Sequence, residues 1–286
     1  MALTLQGKEN RDYMDSKDSR EHIAGLCAEL ESMLRLQTYP LGLKRVANMA
    51  DLEETGEWKE LDFLADGCQY VSLARTTGWA FKITADNVCP CAFAWAIGLA
   101  DEPAKEKAAN LVGTWFESVE DVLKWREGIP RVPGRIEALL LAPVSRVMFE
   151  PEVILLYGLP EQIILIVNAI QFSGYERLHF SCTGESSCVD APHQCYATGN
   201  PSVGIPSYGE HWWGGARGGE LAMAIPASMM DKVLEGLRAL YGTGYHYPIP
   251  STGAECAEQV AMRKMYGPGK REERVRTGRT FWELGQ

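Results

Sequence analysis

The stretch PEVILLYGLPEQIILIVNAI, residues 151–170, is the most apolar in the chain, and it limits the fold more than any other feature. Its length would suffice to cross a bilayer, but Pro160, Glu161 and Gln162 cut it in two. The second half, continued as PEQIILIVNAIQFSG, reads as a helix with proline in its first turn, an early glutamate and a trailing glycine. The first half joins RIEALLLAPVSRVMF, and together they read as two buried strands separated by a turn at Glu150 and Pro151. Strands and helices in this order predict an α/β (mixed α+β) architecture, a mixed sheet flanked by helices.

The rest of the chain supplies the other elements. SREHIAGLCAELESMLRL places Ile23, Leu26, Cys27, Leu30, Met33 and Leu34 on one helical stripe with Ser19 as N-cap, so Cys27 is read as core. YPLGLKRV reads as a short strand opened by Pro40. CQYVSLARTTGWAFKITADN reads as a hairpin-like pair of runs about Thr77 and Gly78. AFAWAIGLA and EPAKEKAANLVGTWFESVEDVLKWREG read as helical, ELAMAIP as a strand and ASMMDKVLEGLRALYG as a helix. Most of the chain from Glu176 to Glu220 is rich in Gly, Ser, Pro and Cys and reads as one long functional loop. The expected organisation is a flexible segment over 1–18, a single large domain over 19–250 and a helical or tail extension over 251–286.

With 28 basic against 38 acidic residues, a general electrostatic grip on nucleic acid or anionic lipid is disfavoured. The dense basic stretch RKMYGPGKREERVRTGR is interrupted by Glu272 and Glu273 and reads as a solvated surface. The start, MALTLQGKENRDYMDSKDSREH, has no apolar centre and so no secretory signal, which makes the cytoplasm the expected compartment and a membrane partner unexpected.

There the eight cysteines would be held reduced, leaving metal, cluster, catalysis or burial to account for them. Five fall in irregular segments: Cys89 and Cys91 flank Pro90, and Cys182, Cys188 and Cys195 lie in the glycine-rich loop. Thiolates on such backbone can converge on one soft centre, and an iron–sulfur cluster, [4Fe–4S] above all, is the expected cofactor. Zinc is the alternative, with His193 as a further ligand, and scattered buried thiols are another. In GEHWWGGARGGE, Trp212 and Trp213 would wall a pocket or plug the core, Arg217 would hold an anionic group or pair with Glu220, and His211 or Glu220 would move protons. GGARGGE lacks the lysine and hydroxyl of a nucleotide-phosphate loop.

In order, YPLGLKRV, DGCQYVSLARTTGWAFKITADNVCPCAFAWAIGL, APVSRVMFEPEVILLYGLPEQIILIVNAI, CTGESSCVDA and NPSVGIPSYGEHWWGGARGGELAMAIP resemble the blocks of the domain-of-unknown-function family "uncharacterised ArCR" from about Ala24 to Gly242. The resemblance implies a single domain, of a kind common in anaerobic bacteria and archaea. It also implies recurrent positions at Cys68, one of Cys89 and Cys91, Gly98, Pro151, Gln162, Cys188, Pro206, Gly209, Arg217, Glu220 and Pro226. Where that family often carries cysteine after Pro206, this chain has Ser207, so either that ligand is missing here or Cys195 or Cys182 would stand in for it.

The function expected from these features is redox or Lewis-acid chemistry on a small anionic or planar molecule in anaerobic metabolism, with an electron-transfer protein as a partner. A metal-centre maturation protein and a zinc-stapled binding module are the alternatives.

Overall fold

The computed structural model describes residues 16–52 and 56–249. The expected C-terminal extension, its basic stretch and most of the N-terminal segment lie outside the described residues. The helices are α1 (Ser16–Leu34), α2 (Gly67–Thr77), α3 (Ala92–Ala96), α4 (Val119–Gly128), α5 (Pro160–Phe172), α6 (Pro192–Thr198), α7 (Tyr208–Trp212) and α8 (Met230–Gly242). The strands are β1 (Leu41–Val46), β2 (Phe81–Ile83), β3 (Ala138–Pro143), β4 (Val153–Gly158), β5 (Ser202–Gly204) and β6 (Leu221–Pro226). They form one sheet of order β2-β3-β1-β4-β6-β5. It is a helix-flanked sheet as expected, and each of these pairings is antiparallel.

Period-two alternation divides the strand residues between two apolar layers. Leu155 and Tyr157 of β4 and Ala222 and Ala224 of β6 face α2, α3 and α6. Ile154 and Leu156, with Met223 and Ile225, face α1, α5 and α8. Because both faces are covered, β3 and β4 are buried along their whole length, which explains their unbroken apolar sequence. Cys27 is buried with Leu26, Leu30 and Leu34 on α1, as the helical stripe predicts.

Three elements differ from the sequence reading: the run EPAKEKAANLVGTWFESVEDVLKWREG, expected to be helical throughout, is a 3-10 turn over Lys105–Leu111 followed, after non-helical residues 112–118, by α4. The expected hairpin over Cys68–Asn87 is instead α2 followed by β2. The Asp66 N–H donates to Gln69 Oε1 at the helix start, and Gly78, with φ 79°, ends it by donating to the Ala74 carbonyl. The long loop also contains α6, opened by Pro192 and closed by Gly199 at φ 68°, together with β5 and α7. Among the described residues, no helix is long and apolar enough to cross a membrane.

Candidate metal centre

Three separate segments bring cysteines together on the α2 side of the sheet. Cys68 is the second residue of α2, Cys91 immediately precedes α3, and Cys188 lies in a 3-10 turn over Ser187–Val189 that packs on α3. The peptide N–H groups of Gly67, Ala94 and Phe93 face the Cys91 sulfur. The chain after α7 closes over Cys68: a Cβ on Gly214 would stand 3.1 Å from the Cys68 Cβ and 2.8 Å from the Glu210 carbonyl oxygen. Ser186, the residue before the Cys188 turn, is in the left-handed region at φ 59°, a strained conformation for a residue with a side chain.

The electrostatics of this cluster are uniformly acidic. Burial, then the charges of Asp66, Glu210 and Cys91, pushes the Cys68 thiol up to about 12. Burial also drives Cys188 well above the usual thiol range, with Glu210, Cys91, Cys68 and Glu185 adding to it. Cys91 is raised by burial although its three N–H neighbours oppose the shift, and Cys89 is raised by burial and by Asp66. Cys188 is therefore within electrostatic reach of Cys68, Cys91 and Glu210, and Cys68 within reach of Cys91 and Glu210. Among the described residues no three His, Cys, Asp or Glu side chains are already gathered as ligands of a metal ion.

Glu210 is the buried carboxylate of the site, and the sequence reading missed it. It accepts from the Tyr157 hydroxyl at 2.9 Å, the Ser187 hydroxyl at 2.5 Å and the Ser207 N–H at 3.0 Å. Its sequence signal is the spacing of Ser207 and Glu210, which marks the start of a capped helix. Behind Tyr157, the Arg75 guanidinium lies 4.1 Å from the ring centroid and forms a two-pronged ion pair with Glu220, at 3.0 and 3.1 Å. Burial pushes the Glu220 carboxyl up, but the hydrogen bonds from Arg75 and the Arg217 N–H, with both charges, together hold it below its ordinary value.

The other expected site residues are spread over several environments. Cys182 is exposed, and Cys195 is buried on α6, raised to about 12 by desolvation alone. Trp212 and Trp213 do not plug the core, being 68% and 53% exposed, and Trp212 stacks on Tyr208 with centroids 5.9 Å apart. His211 pairs through Nδ1 with the Ala216 carbonyl at 2.7 Å. The Arg217 side chain reaches Gln37, while Glu220 is bound to Arg75 instead of pairing with the Arg217 guanidinium in a surface turn.

His193 is fully buried, and its Nε2 faces the Phe93 carbonyl at 2.8 Å. A carbonyl only accepts, so Nε2 carries the hydrogen and the ring holds the peptide whose N–H faces Cys91. Burial lowers its pKa to about 4. The unfolded chain binds a proton near pH 6.5 that the folded chain refuses until about pH 4, so this contribution to stability is full above 6.5 and lost as pH falls towards 4. Asp190, which burial raises to about 6, acts in the opposite sense over an overlapping window and flattens the wild-type profile. His193→Gln is therefore expected to narrow its stability deficit relative to wild type by about 2–3 kcal/mol between pH 6.5 and pH 4, measured by urea denaturation. A deficit that stays constant with pH would show that the buried ring does not titrate in this way.

The sequence matches the family described as Uncharacterised ArCR (DUF169) over residues 29–236. It is 23% identical over 228 residues to the uncharacterized protein MJ0308 of Methanocaldococcus jannaschii, covering 78% of this chain and 95% of that one. No solved structure matches it.

Proposed function

Given that the chain belongs to the uncharacterised ArCR family, a membership that brings no activity with it, we propose that Cys68, Cys91 and Cys188 hold an iron–sulfur cluster beside Glu210. The supporting observation is that three desolvated thiols from three chain segments lie within electrostatic reach of one another, with carboxylates beside them. A nucleophilic cysteine needs surroundings that lower its pKa, and here burial and carboxylates raise it. A bound cation reverses that balance, because a coordinating thiol is deprotonated outright. The donor set fits a soft centre, and the N–H groups facing Cys91 are the kind of donor that tunes a ligated sulfur.

Relative to the ligand set read from sequence, Cys91 and Cys188 are retained, Cys68 joins them, and Cys182 and Cys195 drop out. Cys89 lies at the edge, with its thiol directed to the Leu64 carbonyl at 3.3 Å. When bound, the cluster would supply redox or Lewis-acid chemistry on a small molecule. The chain's own contribution is a carboxylate fixed by Tyr157, Ser187 and the Ser207 N–H, with the Arg75 guanidinium stacked on the Tyr157 ring behind it.

Protein purified without oxygen is expected to be brown and to contain iron and acid-labile sulfide in similar amounts, read by absorption and elemental analysis. Cys188→Ala should lose most of that content. Cys27→Ala, on the apolar stripe of α1, should keep it while losing about 1 kcal/mol of stability. Colourless protein with stoichiometric zinc after attempted cluster reconstitution, or equal iron in the two variants, would refute the assignment.

A further inference from the structure

At the sheet end where β4 gives way to α5, a cavity of about 190 Å³ opens between Gln37, Tyr157, Gly158, Arg217, Gly218 and Glu220. That is the room of about six water molecules. Three of its features are those of a binding site. First, the Arg217 guanidinium is tethered through one nitrogen to Gln37 Oε1, and among the described residues nothing accepts from its remaining N–H groups. Second, Glu220 makes no hydrogen bond to that guanidinium, because its oxygens are taken by the Arg75 guanidinium and the Arg217 backbone N–H, and it offsets only one of the two positive charges it faces. Two guanidinium groups against one carboxylate leave a single positive charge at the opening. Third, two wall positions are glycines, and a Cβ added at Gly218 would meet nothing within 4 Å.

We propose that this cavity binds a short carboxylic acid of two to four carbons, its carboxylate forked on Arg217 and its tail against the Tyr157 ring. One positive charge favours a monoanion over a dianion, and the planar guanidinium matches a carboxylate bidentately. The aromatic wall suits a short alkyl tail, and the volume matches an acid of this length. The same Tyr157 donates through its hydroxyl to Glu210, so the ligand lies one side chain away from the cysteine centre. Only in calling the ligand a substrate does the proposal rest on the cluster reading; occupancy of the cavity is independent of any metal.

The test titrates the full chain with acetate, propionate and butyrate, with acetamide and inorganic phosphate as controls, by calorimetry and thermal melting at constant ionic strength. The three carboxylates are expected to bind and raise the melting temperature, while acetamide and phosphate have little effect. Arg217→Lys should weaken carboxylate binding by about tenfold or more, and Gly218→Val should abolish it while leaving the melting temperature without ligand close to wild type. Iron content serves as a separate readout: carboxylate binding without iron sinks the cluster and leaves the cavity site standing. No carboxylate binding in wild type, an equal response to acetamide, preference for phosphate, or undiminished binding in both variants would overturn the proposal.

Discussion

Replacing Arg75 with methionine is expected to destabilise the protein by about 3–5 kcal/mol, the cost of leaving a buried carboxylate without its counter-ion. Arg75 is 1% exposed and bonds both oxygens of Glu220, the Gly215 carbonyl and the Thr38 hydroxyl. Removing it strands Glu220 with the Arg217 N–H as its remaining donor and takes the cation from the Tyr157 face. Two further measurements identify the cause. The double variant Arg75→Met/Glu220→Leu should recover much of the loss, because an apolar pair requires no desolvation of charge. The deficit of the single variant should also shrink as pH falls towards 4, where the orphaned carboxyl can take up a proton and become neutral. A double variant as unstable as the single one, with no relief in acid, would mean that packing and not the ion pair sets the cost.

Gly67→Ala is expected to cost about 3 kcal/mol and to disturb the cysteine centre directly. The added Cβ would lie 2.1 Å from Phe93 Cγ and 2.7 Å from its Cβ, so rotation at the far end of the ring cannot relieve the clash. Phe93 is buried and meets the His193 ring edge-on at 4.8 Å, which blocks retreat. Either α2 or α3 must shift, and the Gly67 N–H that faces Cys91 moves with it. The same substitution at Gly25, where nothing lies within 4 Å on α1, should gain about 0.5–1 kcal/mol. Thermal melts and the rate of thiol modification by a disulfide reagent report both effects. A Gly67→Ala protein with wild-type stability and unchanged thiol reactivity would refute the proposed contact.

The sequence made the helix-flanked sheet legible where the physics is local. The interruption at Pro160–Gln162 separated β4 from α5, and the stripe on α1 placed Cys27 in the core. Elsewhere a distant partner overrode the local signal. The run from Cys68 to Thr77 lost its helical appearance because a charged residue, Arg75, falls on the buried face, and that charge is tolerable only because Glu220 meets it from 145 residues away. The spacing of Ser207 and Glu210 marks a helix start, but that Glu210 is buried was hidden for the same reason, since Tyr157 and Ser187 lie 53 and 23 residues from it. Thiol clustering by segment picked out Cys89, Cys91, Cys182, Cys188 and Cys195 alike, and composition alone could not tell them apart. Pro192 and Gly199 build a short helix that turns Cys195 into the apolar layer.

The order β2-β3-β1-β4-β6-β5 also constrains how the chain acquires its shape. None of the five pairings is closed by a tight turn. β1 must wait for partners that begin at Ala138, and even the nearest pair, β5 with β6, spans residues 205–220. Closing loops of this length carries an entropic cost before any strand contact offsets it, so assembly of the sheet should be slow for a protein of this size. On a ribosome adding about 5–20 residues per second, β1 would emerge many seconds before β3. For that interval Leu41 and Leu43, fully buried in the finished protein, would have no sheet to join, and the nascent chain would rely on its surroundings to keep them from other partners.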